Sequence, residues 1–345
     1  MKILITGGAG FIGNNLANKL CNEGYEIISI DLKKEPYLKL ENKHYKYISG
    51  NILNKKLISE LIKVCDIIIH CAVSSVLEKS IKTIYKNNIE GTKNLLEEAL
   101  FYNMKQFIFI SSGCVYGIPC ELPIREETPR HPFEPYGWSK YFAENLCYEF
   151  RKKGLNIVII RLPNVLGEGR LGVMSILFEW LQSHKSIYLI GNGNNKYQFL
   201  SFIDFYTALK KIIEKNISNE DFNLGTDKFS TVEKDLHNFI KSIHSESKIK
   251  KIPSFIAKTL LILLDKTYLS PLSSWHYTIA DKSFYFDISK AKTLLDWQPQ
   301  YSNSQMLKMA YEWYVINKNF LTLKEGTTNS TIVNQKVLKL LKLFS

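Results

Sequence analysis

The chain has 345 residues, 45% of them hydrophobic, and a formal net charge of +12, which is enough to bury a sizeable core as one large α/β domain or two lobes. The charge comes mostly from scattered lysines, and nothing resembles an RNA- or DNA-reading motif, so nucleic acid is excluded as a partner. The six cysteines (Cys21, Cys65, Cys71, Cys114, Cys120 and Cys147) have no paired metal-type spacing and no signal peptide precedes the first apolar run, so a cytoplasmic setting and no metal site are expected.

The first element is the apolar run Ile3-Leu4-Ile5, predicted as a strand over 2–6, which leads into Thr6-Gly7-Gly8-Ala9-Gly10-Phe11-Ile12-Gly13. This reads as a buried strand turning into a helix (11–23) whose N-terminus holds a phosphate-bearing ligand. Gly7 allows the tight turn, Gly10 lets the backbone approach a pyrophosphate, and Gly13 lets the helix close on the strand. A second strand, 26–30, ends in Asp31, near the distance expected for a carboxylate gripping a ribose diol. Together these features point to a bound dinucleotide. Strands 46–48, 66–70, 106–111 and 157–161 then alternate with helices 54–64, 82–103 and 136–153, and Gly24 and Gly154 stop two of the helices. The alternation predicts an α/β fold of Rossmann type, a doubly wound parallel sheet with crossover helices.

The strand at 106–111 runs into Ser111-Ser112-Gly113-Cys114-Val115-Tyr116-Gly117, which places hydroxyls at the carboxyl edge of the sheet, where such folds bind ligands. Next comes Pro135-Tyr136-Gly137-Trp138-Ser139-Lys140 at a helix start. Tyr136 and Lys140, four apart, share a helical face. A cation there favours the phenolate, which can take a proton from a substrate alcohol as its hydride leaves. An ordinary surface pair would explain these residues alone, but it does not explain their company with the serine strand end and the glycine loop.

Beyond about residue 165 the order changes. Helices are predicted at 172–184, 204–215 and 231–244, with short strands near 187–190 and 284–286 and a short helix over 287–295. Residues 1–165 are expected to form the dinucleotide-binding domain, its sheet completed by parts of 186–225. Residues 166–320 then form mainly a smaller, interleaved substrate lobe. The stretch 255–264 is the longest apolar run, interrupted by Lys258 and too short to span a bilayer. A linker and a basic amphipathic helix complete the chain over 321–345. On a helical wheel Val333, Val337, Leu340, Leu341 and Phe344 share one face, and Lys336, Lys339 and Lys342 another. Such a helix docks on its own domain or a second subunit, or lies on an anionic membrane surface, which would make the protein membrane-peripheral.

Taken as a set, the chain resembles an extended short-chain dehydrogenase/reductase of the NAD-dependent epimerase/dehydratase group. The matches are Thr6 to Gly13, Asp31, Gly50-Asn51-Ile52, His70-Cys71-Ala72, Asn88-Ile89-Glu90-Gly91-Thr92, Ser112, Tyr136, Lys140, Arg161-Leu162-Pro163-Asn164, Asp287 to Ala291, Trp297 and Pro299. The resemblance implies NAD as cofactor, with Gly7, Gly10, Phe11, Ile12 and Gly13 at the pyrophosphate and Asp31 on the adenosine ribose. It further implies Asn51 and Ile52 near adenine, Ala72 and Asn88 along the groove, Lys140 on the nicotinamide ribose and Pro163 at the nicotinamide. Ser112 would hold the reacting hydroxyl and Tyr136 would be the base. Asp31 disfavours the 2′-phosphate of NADP, while Lys33 and Lys34 work the other way.

Relatives that dehydrate sugars carry an acidic pair after the serine strand, where this chain has Gly113-Cys114-Val115. Cys114 matches an acid/base cysteine of GDP-fucose synthase, without the histidine that partners it there. The resemblance places Ser112, Cys114, Asn164, Tyr197 and Tyr277 at the substrate. Tyr197 and Tyr277 occupy positions where nucleotide-sugar epimerases carry diphosphate-binding arginines, and Lys196, His276 and Lys282 are candidates to compensate. Three readings follow. The first is an NAD-dependent, UDP-glucose 4-epimerase-like enzyme acting on a nucleotide sugar through a transient ketone. The second is a 3β-hydroxysteroid dehydrogenase-like oxidoreductase of a lipid-like alcohol, suggested by the apolar stretch 252–272. The third is a non-catalytic dinucleotide-binding regulator, which would have no use for Ser112, Tyr136 and Lys140 together. The sugar reading leads. The resemblance also makes helices 82–103 and 136–153 candidates for a homodimer interface.

Overall fold

The computed structural model describes residues 1–267, 269–321, 331–335, 337, 338 and 342. The first half is built from β1 (Lys2–Thr6), α1 (Phe11–Asn22), β2 (Glu26–Asp31), β3 (Tyr45–Ser49), α2 (Lys55–Ile62) and β4 (Ile67–His70). It continues with α3 (Ile81–Tyr85), α4 (Gly91–Phe101), β5 (Gln106–Ser112), α5 (Pro135–Lys152) and β6 (Ile157–Leu162). After these come β7 (Asn164–Leu166), α6 (Met174–Gln182), β8 (Ile187–Ile190), β9 (Phe199–Ser201), α7 (Phe202–Glu214), β10 (Asp221–Asn223) and α8 (Val232–Ser242). The described chain closes with β11 (Ile249–Ile252), α9 (Ser254–Lys266), α10 (Ser274–Ile279), α11 (Ser289–Leu295) and α12 (Asn303–Leu321).

Seven strands form one sheet in the order β10-β6-β5-β4-β1-β2-β3, with every pairing parallel. Because side chains alternate across a strand, each strand feeds two cores. Ile3, Ile5, Ile69, Ile110 and Ile160 meet Leu16 of α1 and Leu209 of α7 on one side. Leu4, Ile68, Phe107, Phe109 and Ile159 meet Ile58, Leu95 and Cys147 on the other. Strand order reverses between β1 and β4, which opens a crevice beyond their carboxyl ends. The doubly wound α/β expectation is met.

The strand expected near 187–190 forms as β8, paired with β11 outside the main sheet. Three local readings are corrected. The helix expected over 82–103 is interrupted by a π-helical turn, Lys86–Glu90, between α3 and α4. The segment 284–286 makes only single bridges, Phe284 to Tyr197 and Phe286 to Ile124. Residues 331–335 do not begin a helix: Ile332 bridges to Gly172, Gln335 accepts from Trp180 Nε1 at 2.9 Å, and Val333 joins the substrate-lobe core with Phe178 and Leu307. This part of the tail therefore docks on its own lobe. The lipid-facing alternative falls largely on Lys336, Lys339, Leu340, Leu341 and Phe344, which lie outside the described residues.

Candidate active site

The cofactor crevice begins at the β1–α1 corner. Gly7 has φ +71°, and a Cβ there would come within 2.7 Å of the Ala72 backbone nitrogen, so only glycine fits. A Cβ on Gly13 would collide with the Gly7 carbonyl. Helix α1 has no side-chain cap at Gly10, which leaves its first amide groups to an anion, as a pyrophosphate requires. Asp31 ends β2, where its carboxylate accepts from Ala9 N at 3.0 Å and Lys33 N at 3.1 Å while lining the crevice. Gly7, Gly10, Phe11, Ile12, Gly13, Asn51, Ile52 and Ala72 line the same crevice. These residues fit a dinucleotide.

Ala72 is held in place by a buried relay. Its N–H donates to Thr6 Oγ1 at 3.1 Å, and Thr6 meets His70 Nδ1 at 2.7 Å. His70 Nε2 meets Thr92 Oγ1 at 2.9 Å, and Thr92 donates to Asn88 O at 2.6 Å. Thr92 thus receives the ring proton on Nε2 and Nδ1 accepts from Thr6. Burial holds the His70 pKa well below the ordinary value.

Two residues expected at the cofactor have other local partners. Asn88 binds Ser74 through both N–H and C=O (2.7 and 3.1 Å) and donates to Ser139 Oγ at 2.9 Å, whereas Asn87 lines the crevice. The π-helical turn moves Asn88 inward, making it a positioning residue for the 72–75 loop. Asn51 lines the crevice, but its side-chain oxygen accepts from Leu53 N at 2.9 Å, a local turn.

Beyond the crevice lies a second pocket that shares Phe11, Ile12, Cys71, Val73 and Ser75 with it. Its walls bring together Ser112, Cys114, Tyr136, Lys140, Pro163 and Asn164 from β5, α5 and the β6–β7 junction. Tyr136 enters α5 just after Pro135 because Glu134, in extended conformation, caps the helix on the Tyr136 and Gly137 amides. Burial raises the Tyr136 pKa, with a further rise from Cys114; the Ser112 hydroxyl and Arg170 oppose it. Burial pushes Lys140 down to about 8 and the Cys114 thiol well above its usual value. Cys114 packs in the core as a protonated thiol.

Of the remaining expected substrate residues, Tyr197 accepts from Asn164 Nδ2 at 3.2 Å beside an adjoining cavity that also includes His276. Tyr277 instead turns away toward Asp265 of α9, with Oη 3.2 Å from Oδ2, and the neighbours Trp275 and His276 line the pocket. Arg170 also lines it, and sequence reasoning missed it. Its only signal was an arginine inside the glycine-rich 167–172 loop. Among the described residues, no carboxylate lines this pocket and no metal-binding cluster exists.

This geometry can hold a dinucleotide beside a tyrosine base and a serine hydroxyl, an arrangement suited to moving a proton and a hydride between an alcohol and a ketone. Residues 3–225 match the NAD dependent epimerase/dehydratase family. The chain is 33% identical over 340 residues to an uncharacterized protein, y4nG, of Sinorhizobium fredii, covering 98% of this chain and 85% of that one. It is 30% identical over 322 residues to a putative UDP-glucose 4-epimerase of Methanocaldococcus jannaschii, covering 90% and 97%. Among solved structures it is similar to the UDP-glucose 4-epimerase of Thermotoga maritima with UDP-glucose, with a TM-score of 0.77, 27% identity, and 92% and 100% of the two chains covered. The chain therefore belongs to the NAD-dependent epimerase/dehydratase family of extended short-chain dehydrogenases/reductases and is an NAD-dependent enzyme.

Proposed function

We propose that this protein epimerises a nucleotide sugar at a ring hydroxyl, C4 by analogy with the UDP-glucose 4-epimerases, through a transient ketone. The observation that carries the reading is the shared wall between crevice and pocket, which sets the Ser112 and Tyr136 hydroxyls next to the cofactor site. NAD, when bound, supplies the hydride acceptor and returns the hydride. Ser112 orients the sugar hydroxyl, and Tyr136 is the base that takes its proton, with the Ser112 hydroxyl and Arg170 favouring its phenolate against burial. Once the ketone has turned in the pocket, so that the hydride would return to its opposite face, Tyr136 gives the proton back to the carbonyl oxygen. Dehydration in the relatives uses an acidic pair after the serine strand, and no carboxylate is among the described residues that line the pocket. Incubating the protein with UDP-glucose, and following UDP-galactose by NMR, tests the reading. Epimer formation without accumulation of NADH is expected; NADH formed once per turnover would replace the epimerase with a dehydrogenase.

One observation favours a second reading, oxidation of a lipid-like alcohol. Helix α9 buries only Ala257 and Leu261, leaving Phe255 82% and Ile256 58% exposed. Behind it runs an apolar groove lined by Leu177, Trp180, Leu260, Leu264 and Val173, and Val173 also lines the catalytic pocket. That continuity suits a hydrocarbon chain attached to the reacting alcohol. Net NADH production with a long-chain secondary alcohol, absent with nucleotide sugars, would establish it.

A further inference from the structure

Helix α9 has the polarity of a surface helix reversed. Five of its seven exposed positions, Phe255, Ile256, Leu260, Ile262 and Leu263, carry large apolar side chains, and Leu269 just beyond the helix is exposed as well. Its other charged residues are tied to the body of the lobe. Lys258 pairs with Asp281 and donates to the Thr278 carbonyl at 3.1 Å, while Asp265 pairs with Lys79 and accepts from Tyr277. A helix facing only water turns its apolar side to the core. A contiguous apolar face turned outward is an interaction surface.

The charges around this face identify its partner. Residues 246–267 carry five lysines against two carboxylates, Glu246 and Asp265. Lys248 and Lys250, just before α9, and Lys266 at its end are exposed and make no ion pair with any described residue. Two copies docked face to face about a two-fold axis would press these same lysines together. An anionic lipid surface accepts both features, the lysines among its headgroups and the apolar side chains at the acyl boundary. Helix α9 has 13 residues, and no described helix is long and apolar enough to cross a membrane. It therefore suits the plane of the interface and not a span. Leu338 of the C-terminal segment lines the groove on the inward side of α9, whose walls include neither Phe255, Ile256 nor Leu263.

We propose that the outward face of α9 docks on an anionic lipid surface, with Phe255, Ile256 and Leu263 inserted and Lys248, Lys250 and Lys266 among the headgroups. The proposal goes beyond the nucleotide-sugar reading and does not rest on it. Because the groove behind α9 shares Val173 with the catalytic pocket, docking brings that pocket to the bilayer surface.

Co-sedimentation of the full-length protein with vesicles tests this, using phosphatidylcholine alone and phosphatidylcholine mixed with phosphatidylglycerol. Wild type is expected to bind the anionic vesicles about tenfold more tightly than the neutral ones, and to lose that preference at high salt. Phe255→Ser combined with Leu263→Ser should weaken binding to the anionic vesicles about tenfold. Lys248→Glu combined with Lys250→Glu should remove most of the anionic preference. All four positions are exposed, so both double variants should keep the wild-type melting temperature and NAD affinity. Wild type staying in the supernatant with both vesicles overturns the proposal, as does F255S/L263S binding them like wild type. A wild-type dimer that F255S/L263S converts to monomers, with no vesicle binding, gives the face to a second copy and equally overturns it. Vesicle binding is read without turnover, so these outcomes are independent of whether UDP-glucose is a substrate.

Discussion

Lys140 Nζ donates to the carbonyl oxygen of Ile110 across 2.8 Å, and the same ammonium sits 4.5 Å above the Phe109 ring. This anchors the charge of α5 to the end of β5, one turn from Tyr136. Burial lowers its pKa to about 8, so the folded protein sheds this proton well below the ordinary 10.5. In the proposed mechanism, a Lys140 cation that favours the phenolate would be lost as pH rises through about 8. Turnover is expected to fall along a one-proton limb above that pH. In Lys140→Met the limb should vanish, with kcat about 10²–10⁴-fold lower throughout. Profiles of kcat against pH in both proteins check this.

Tyr136→Phe keeps the ring in its pocket and removes only the hydroxyl proposed to carry the proton. A loss of about 10²–10⁴ in kcat is expected, with NAD affinity unchanged because the tyrosine is not among the crevice walls. Full turnover in the variant would mean that another group is the base.

Asp31 joins the cofactor site to the glycine loop by accepting from Ala9 and Lys33. Asp31→Ser removes the charge proposed to grip the ribose and to repel a 2′-phosphate. NAD should bind roughly 10-fold more weakly, about 1.5 kcal/mol for a charge-assisted hydrogen bond, while the preference over NADP narrows. Equilibrium titrations with both dinucleotides give the answer, and an unchanged ratio would remove Asp31 from cofactor selection.

Glu134 receives the Tyr136 amide at 2.8 Å, and burial raises its carboxyl to about 7 from an ordinary 4.5. Between those values the folded state holds a proton that the unfolded chain has released, so this group adds stability as pH falls from 7 toward 4.5. Glu134→Gln should lack that gain, which a difference in melting temperature against wild type across the window would show. The Glu134 anion also raises Tyr136.

The parts legible in sequence are those whose meaning is local. The Gly7–Gly13 corner, Asp31 at a strand end and Tyr136 just inside a helix start each depend on neighbours within a few residues, and the alternation that carries them is periodic. Where the reading missed, phase or burial decided. The π-helical turn rotates Asn88 inward and leaves Asn87 on the crevice. Counting back from Asp287 selects Tyr277, but α10 starts at a Ser273 cap bonded to His276, and that start turns His276 toward the pocket. The Arg170 Nε is buried without a partner among the described residues, which no spacing records. For α9, periodicity does not distinguish a buried apolar helix from an outward-facing one.

Arg161 shows how a residue matched by sequence can act at a distance from the chemistry. From β6 it reaches Glu144 of α5 through Nε and Nη2 (2.9 Å each) and Asp221 of β10 at 3.0 Å. It thereby ties the helix that carries Tyr136 and Lys140 to the edge of the sheet. Glu144 is fully buried, so truncating Arg161 leaves a carboxylate without its main counter-charge. Arg161→Ala should cost about 3–5 kcal/mol of stability, while Arg161→Met combined with Glu144→Met should cost less, because the fully buried carboxylate goes with its partner, Asp221 keeps Arg151, and only the partly exposed Arg130 loses its ion pair. Urea titrations of both variants decide the point. Equal losses would mean that shape, and not charge pairing, is what Arg161 contributes. In the double variant the catalytic groups keep their strand and helix ends, so turnover by the folded fraction should survive.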